Sequence, residues 1–182
     1  NSGTDFLGED RLIFGFNFGD VFGPNRSISY QYTGDLDFEH IRANSLVYTH
    51  TLPWRHWVTV LASYVEIDSD PIPVGGGNFL DSDGDNVQLS ARYGIPLDAK
   101  ANRQREMDFG FDWKSNGSSL EFIDGQNSDN LQLLGSRVEI FQFSLGYQET
   151  FQWNRGVTQF DVRGVWSPGS FNHHNSDIVF QQ

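Results

Sequence analysis

A chain of 182 residues is long enough for one sizeable domain. Its net charge of −12, with only 12 Lys and Arg, excludes a nucleic-acid surface, which needs clustered cations. The absence of Cys removes disulfide scaffolds, Cys-based zinc sites and thiol nucleophiles.

Hydrophobic residues are 37% of the chain and aromatics 15%, with 16 Phe and 19 Gly, which suits many short strands joined by loops. No stretch approaches the roughly 18 apolar residues of a membrane helix. A start at Asn1, without Met or a signal peptide, suggests a processed or excised piece.

In chain order, Asn1–Asp10 is a polar entry. Arg11–Phe18 alternates, with Leu12, Phe14, Phe16 and Phe18 on one side. GDVFGPN is a turn by composition. Arg26–Thr33 sets Ile28, Tyr30 and Tyr32 against Ser29, Gln31 and Thr33. Gly34–His40 is an acidic loop. Ile41–Leu52 is a third strand of weaker contrast, and PWRH turns it. Trp57–Glu66 is the fourth, with Val58, Val60, Ala62 and Tyr64 on one side. Ile67–Asn86, rich in Gly, Pro and Asp, reads as a long loop. Val87–Leu97 is the fifth strand, carrying Tyr93 opposite Arg92.

The clearest strand is the sixth, Arg105–Lys114. Met107, Phe109, Phe111 and Trp113 fall on one face; Glu106, Asp108, Asp112 and Lys114 fall on the other. Asn116–Asn130 reads as another long polar loop. Leu131–Glu149 holds the seventh strand, clearest where Phe141, Phe143, Leu145 and Tyr147 oppose Gln142, Ser144, Gly146 and Gln148. Val157–Ser167 is the eighth, with Phe160 and Val162 against Asp161 and Arg163. Ser167–Gln182 is an irregular tail. The reading is all-β: an antiparallel up-and-down meander of about eight strands in a single domain over 1–182.

Alternation fits both a soluble sandwich and a membrane barrel, because either separates an oily face from a polar one. The connections decide between them. Those after the odd strands are fairly short; those after the even strands are mostly longer and more acidic. One end is trimmed and the other elaborated, as in outer-membrane barrels. Strands near the roughly 9–11 residues of a tilted membrane strand agree. Aromatics near strand ends (Phe22, Tyr32, Trp54, Trp57, Tyr64, Trp113, Tyr147, Trp153, Trp166) suit an interfacial girdle.

On this reading Phe14, Phe16, Tyr30, Val60, Tyr93, Phe109, Phe111, Phe141, Phe143 and Phe160 face lipid. Arg92, Glu106, Asp108, Asp112, Lys114, Asp161 and Arg163 face the lumen as an ion-pair network, since unpaired desolvated charge is costly. The expected surroundings are outer-membrane lipid, or detergent in its place.

Several motifs resemble the haemolysin-activator family, the outer-membrane transporters of two-partner secretion. NSGTDFLGEDR followed by FNFGDVFGPNRSISYQY is similar to the start of that family's barrel. YTHTLPWRHWVTVLASYVEIDSD resembles its Leu-Pro turn between two strands. FGFDWKSNGSSLEF resembles its Gly-x-Asp-Tyr-Lys strand, and VWSPGSFNHHN a later Ser-Pro-Gly segment. The resemblance spans nearly the whole chain.

It implies a barrel of sixteen strands preceded by periplasmic POTRA domains, in the bacterial outer membrane, that translocates or activates a secreted exoprotein. This chain would then begin in the first external loop and end near the barrel's middle. The family's Arg-Gly-Phe/Tyr motif lies in the other half; Arg163-Gly164-Val165 sits inside a strand pattern and does not match it. A small closed barrel of eight strands, with a structural or adhesive role, is the second reading. A soluble β-sandwich binding carbohydrate through Trp and Asp loops is the third.

No enzyme, cofactor or metal centre is read from the chain. Asp81-Ser82-Asp83-Gly84-Asp85-Asn86 has the alternate oxygens of a calcium loop, but Asn86 and Arg92 stand where an EF-hand needs Gly and Glu. An acidic turn in an external loop is the better account. His173-His174 with Asp177 lacks a third ligand. Gly75-Gly76-Gly77 lacks the Lys-Ser/Thr of a phosphate loop. Ser, Asp and His occur without a nucleophile-elbow context.

Overall fold

A computed structural model of the chain describes residues 11–37, 40–97, 102–123 and 130–169. They form nine antiparallel strands in one sheet: β1 (Arg11–Gly19), β2 (Arg26–Asp35), β3 (Ile41–Thr51), β4 (Trp57–Asp68), β5 (Ile72–Gly75), β6 (Asn78–Pro96), β7 (Arg103–Ile123), β8 (Asn130–Trp153) and β9 (Gly156–Trp166). The sheet order is β1-β2-β3-β4-β6-β7-β8-β9, and β5 pairs with β6 alone. The meander read from the alternation is therefore the fold, with β5 as an addition.

The sheet is open: among the described residues β1 and β9 are not paired with each other. The closed eight-stranded reading is not what these residues form. A sandwich is not formed either. There is one layer, and Ile41, 8% exposed, is the only buried hydrophobic side chain among the described residues. Phe14 at 58% and Phe160 at 52% are open to the surroundings, as a sandwich core would never be.

Two segments read as loops are largely strand. β6 begins at Asn78, so Asp81–Asn86 is extended chain paired with Asn116–Glu121 of β7, not a turn. β7 runs on to Ile123, paired with β8 throughout, with one register shift at Leu120/Glu121. Asp83 faces Ser119 and Asn86 faces Asn116, so both faces are polar there and the alternation that marks a strand is lost. β8 also continues past Glu149 to Trp153, leaving only Asn154 and Arg155 as the turn into β9. The elaborated end is thus built from overhanging β-structure more than from loops.

The opposite end is closed by tight turns. At PWRH, Leu52 N–H donates to the His56 carbonyl and Arg55 N–H to the Leu52 carbonyl, with Arg55 at φ 71°. At GDVFGPN, the Asp20 carboxylate accepts from Asn25 N–H at 3.0 Å. Gly75, Gly76 and Gly77, all at positive φ, turn the β5–β6 hairpin at the elaborated end, a backbone role.

Candidate functional site

Residues directly opposite each other across a strand pair share a face of the sheet. The register therefore carries one face from edge to edge: Phe18, Ile28, Tyr48, Val60, Ala91, Phe111, Phe143 and Trp166 form one row. The next row runs Phe16, Tyr30, Leu46, Ala62, Leu89, Trp113 and Phe141. Phe14, Phe16, Tyr30, Val60, Tyr93, Phe109, Phe111, Phe141, Phe143 and Phe160 all lie on this apolar face. Its rings touch: Phe111 and Phe143 are 5.4 Å apart, Phe143 and Trp166 5.8 Å, and Phe16 and Tyr30 5.4 Å.

The face changes character at both ends. Toward the turns, the Tyr93 hydroxyl accepts from Trp54 Nε1 at 3.4 Å and bonds His56 Nδ1 at 2.6 Å, so its polar tip is anchored. Toward the overhang, the same face carries Arg42, Glu66, Asp85 and Arg137 in one row. Arg137 reaches over Gly117 to hold both Asp85 oxygens at 2.9 and 3.0 Å. A Cβ at Gly117 would sit 2.3 Å from Asp85 Oδ1, so the bridge needs glycine there. Beyond it lie Asp68 and Asp83, opposite each other.

On the other face stand all seven charged residues read from the sequence: Arg92, Glu106, Asp108, Asp112, Lys114, Asp161 and Arg163. Two pairs are joined. Arg92 Nη2 donates to both Asp112 oxygens at 2.9 and 2.7 Å, and Ser90 Oγ donates to Asp112 Oδ1 at 2.6 Å. Arg92 Nη1 also donates to the carbonyls of Ala91 and Phe111, each at 3.0 Å. Arg163 crosses β8 to Asp108 of β7 at 3.2 and 3.3 Å. Glu106, Lys114 and Asp161 share the face but make no ion pair among the described residues.

Glycines make these pairs fit. Gly94, Asp108, Gly146 and Arg163 form one row, and a Cβ at Gly146 would fall 2.1 Å from Asp108 Oδ1. Gly110 lies beside Arg92, with Ser144 Oγ only 2.2 Å from where its Cβ would be. Alternation puts these glycines on the polar face, but it does not tell a notch from a gap. Trp57 also departs from its expected girdle role: it pairs with Thr51 and Gly94 on the polar face, its ring over Gly94.

At the rim between β2 and β3, Asp35 is buried and accepts from Ile41 N–H at 3.1 Å and His40 N–H at 3.2 Å. The His40 ring bridges Asp70 at 3.1 Å and Asp35 at 3.2 Å, and these carboxylates, Asp70 first, hold its pKa above the ordinary histidine value.

Asp81, Asp83 and Asp85 lie at alternate positions along β6, and no group of three or more His, Asp or Glu among the described residues is arranged to hold a metal ion. His173, His174 and Asp177 lie outside the described residues. The arrangement is a wall, oily on one side and bearing fixed charge on the other.

No curated protein and no solved structure matches the chain. The model of one protein family does, over residues 1–178, which takes in every strand of both faces. A match across that span agrees with the motif resemblance from the first strand to the last, and the chain belongs to the ShlB/FhaC/HecB family of haemolysin secretion/activation proteins.

Proposed function

We infer that this chain forms part of the wall of an outer-membrane β-barrel that translocates or activates a secreted partner protein. Its apolar face lies against lipid and its polar face against the lumen. One observation carries the reading: a single-layer sheet with aromatic side chains exposed across the middle of one face and charges, two pairs of them joined, on the other. In water each exposed large side chain on that face forgoes about 1.5–3 kcal/mol of burial. Hydrocarbon supplies the missing cover, while the opposite face keeps its charges matched in a confined aqueous space. Family membership supports the secreted partner; the chain's own geometry supports the membrane wall.

The test is tryptophan quenching in lipid vesicles by brominated acyl chains, in full-length transporter with one tryptophan retained at a time. Trp113, on the apolar face, is expected to be strongly quenched, and Trp57, on the polar face, spared. Equal quenching of both, or a folded monodisperse protein in plain buffer, overturns the reading.

A further inference from the structure

The polar face is not uniform. Between the Arg11–Asp35 pairing at one rim and the turns at the other, no charged side chain stands on the polar face of β1 to β4. That half carries hydroxyls and amides, Ser29, Gln31, Thr33, Ser45, Thr49 and Thr59 among them, interleaved with the uncharged apolar side chains of Ile13, Val47, Leu61 and Val65. The polar groups bond one another where they bond at all, as Thr49 Oγ1 with Thr59 Oγ1 at 3.3 Å and Gln31 Nε2 with Thr33 Oγ1 at 3.3 Å. Every charge on this face below the overhang lies on β6 to β9.

We propose that the neutral wall of β1 to β4 is the track along which the secreted polypeptide passes in extended form, and that the charged wall of β6 to β9 is a fixed partition that does not touch it. The proposal rests on the lumen-side assignment made above. An extended chain in transit carries a peptide N–H and C=O at nearly every residue, all needing partners. Hydroxyls and amides exchange such bonds freely at little net free energy. They also hold no segment by its charge, so acidic and basic stretches pass alike. A row of unmatched Arg or Asp would trap one and repel the other. The charged wall pairs Arg92 with Asp112 and Arg163 with Asp108, yet Glu106, Lys114 and Asp161 beside them make no ion pair among the described residues, so a passing chain would be held there by its charge.

The experiment uses full-length transporter co-produced with its secreted partner, the partner stalled by a disulfide-closed domain fused to its C-terminal end. A photocrosslinking amino acid is placed singly at Ser29, Ser45 and Ser63 on the neutral wall, and at Gln88 and Gln142 on the other. The expected result is adducts with the stalled partner at the first three positions and none above background at the last two. Adducts on both walls alike, or on the charged wall alone, overturn the track while leaving the lumen assignment standing. No adduct at any of the five while unfused partner still reaches the medium overturns the lumen assignment itself. As a second measurement, Ser45→Arg is expected to cut secretion about tenfold, the factor that ~1.4 kcal/mol of added barrier gives, with unchanged heat-dependent gel mobility. Gln142→Arg is expected to leave secretion intact, and a reversal of the two overturns the proposal.

Discussion

Asp112→Leu isolates the charged face better than any other single change. Asp112 receives three hydrogen bonds, two from Arg92 and one from Ser90, and is 8% exposed. Leucine fills the space and removes the charge, leaving the Arg92 guanidinium without its carboxylate. Breaking one side of a fully buried pair costs about 3–5 kcal/mol. Here the Arg92 side chain is 26% exposed and keeps two backbone carbonyls. The cost therefore falls to about 2–3 kcal/mol. Removing the stranded partner too, in Arg92→Met/Asp112→Leu, should return about 1–2 kcal/mol of it, a coupling that additive sites do not show. The assay is urea unfolding of the full-length transporter in lipid vesicles, followed by tryptophan fluorescence and by gel mobility with and without heating. Glu66→Ala, at the rim 4.0 Å from Arg42, is the control and should change stability by under about 0.5 kcal/mol. An Asp112→Leu protein as stable as the parent, or a strictly additive double variant, refutes the argument that confined charge on this face must be matched.

Three further outcomes follow from the same geometry. Gly110→Ala places a methyl against Ser144 Oγ and the Arg92 side chain and should cost about 1–3 kcal/mol in the same unfolding assay, with partial rescue by Ser144→Gly; no rescue would mean that the backbone, not the notch, is at fault. Phe111→Arg should destabilise the inserted protein by about 2–4 kcal/mol, the cost of Arg on a lipid-facing strand position, whereas Gln142→Arg, across the sheet, should cost under about 1 kcal/mol; equal costs would remove the distinction between the faces. At the rim, His40 has a raised pKa, so the stability that its protonated ring adds is complete below the ordinary histidine value and is lost as pH rises through the raised one. Hydrogen exchange at the Ile41 amide should show that loss of protection over this window, and His40→Gln should flatten it; a His40→Gln profile identical to the parent's would show that Asp35 alone holds the amide.

The alternating part of the fold was legible because one face there is apolar. Leu12 to Phe18, Val58 to Tyr64 and Met107 to Trp113 each alternate against polar neighbours, and each is strand in the expected phase. The overhang was not legible. From Asp81 to Asn86 and from Asn116 to Glu121 both faces meet water, so serine, asparagine and aspartate carry no phase, and composition imitates a loop. The faces of the charged residues could be read, but not their partners. Arg163 and Asp108 are 55 residues apart and meet only because Gly146 on the strand between them has no side chain. Trp57 was misassigned for a related reason: strand-end position suggests a girdle, yet only the register with Gly94 shows which face the ring takes.

Two of the three strands that overhang, β6 and β7, hold Arg92, Asp112 and Asp108 of the charge pairs, and the third, β8, lies between Asp108 and Arg163. β6, β7 and β8 have 19, 21 and 24 residues, so the longest extends to roughly 80 Å, against a hydrocarbon core of about 30 Å crossed at a slant. Their hydrogen-bonded ladder runs without a break from Ser119 opposite Gly135 down past Asp112 and Asp108, the one register shift lying above it at Leu120/Glu121. The crest and the partition are one stiff plate. A load applied to the crest below that shift has no joint at which to dissipate, so it acts as a lever on the rows where Arg92 grips Asp112 and Arg163 grips Asp108.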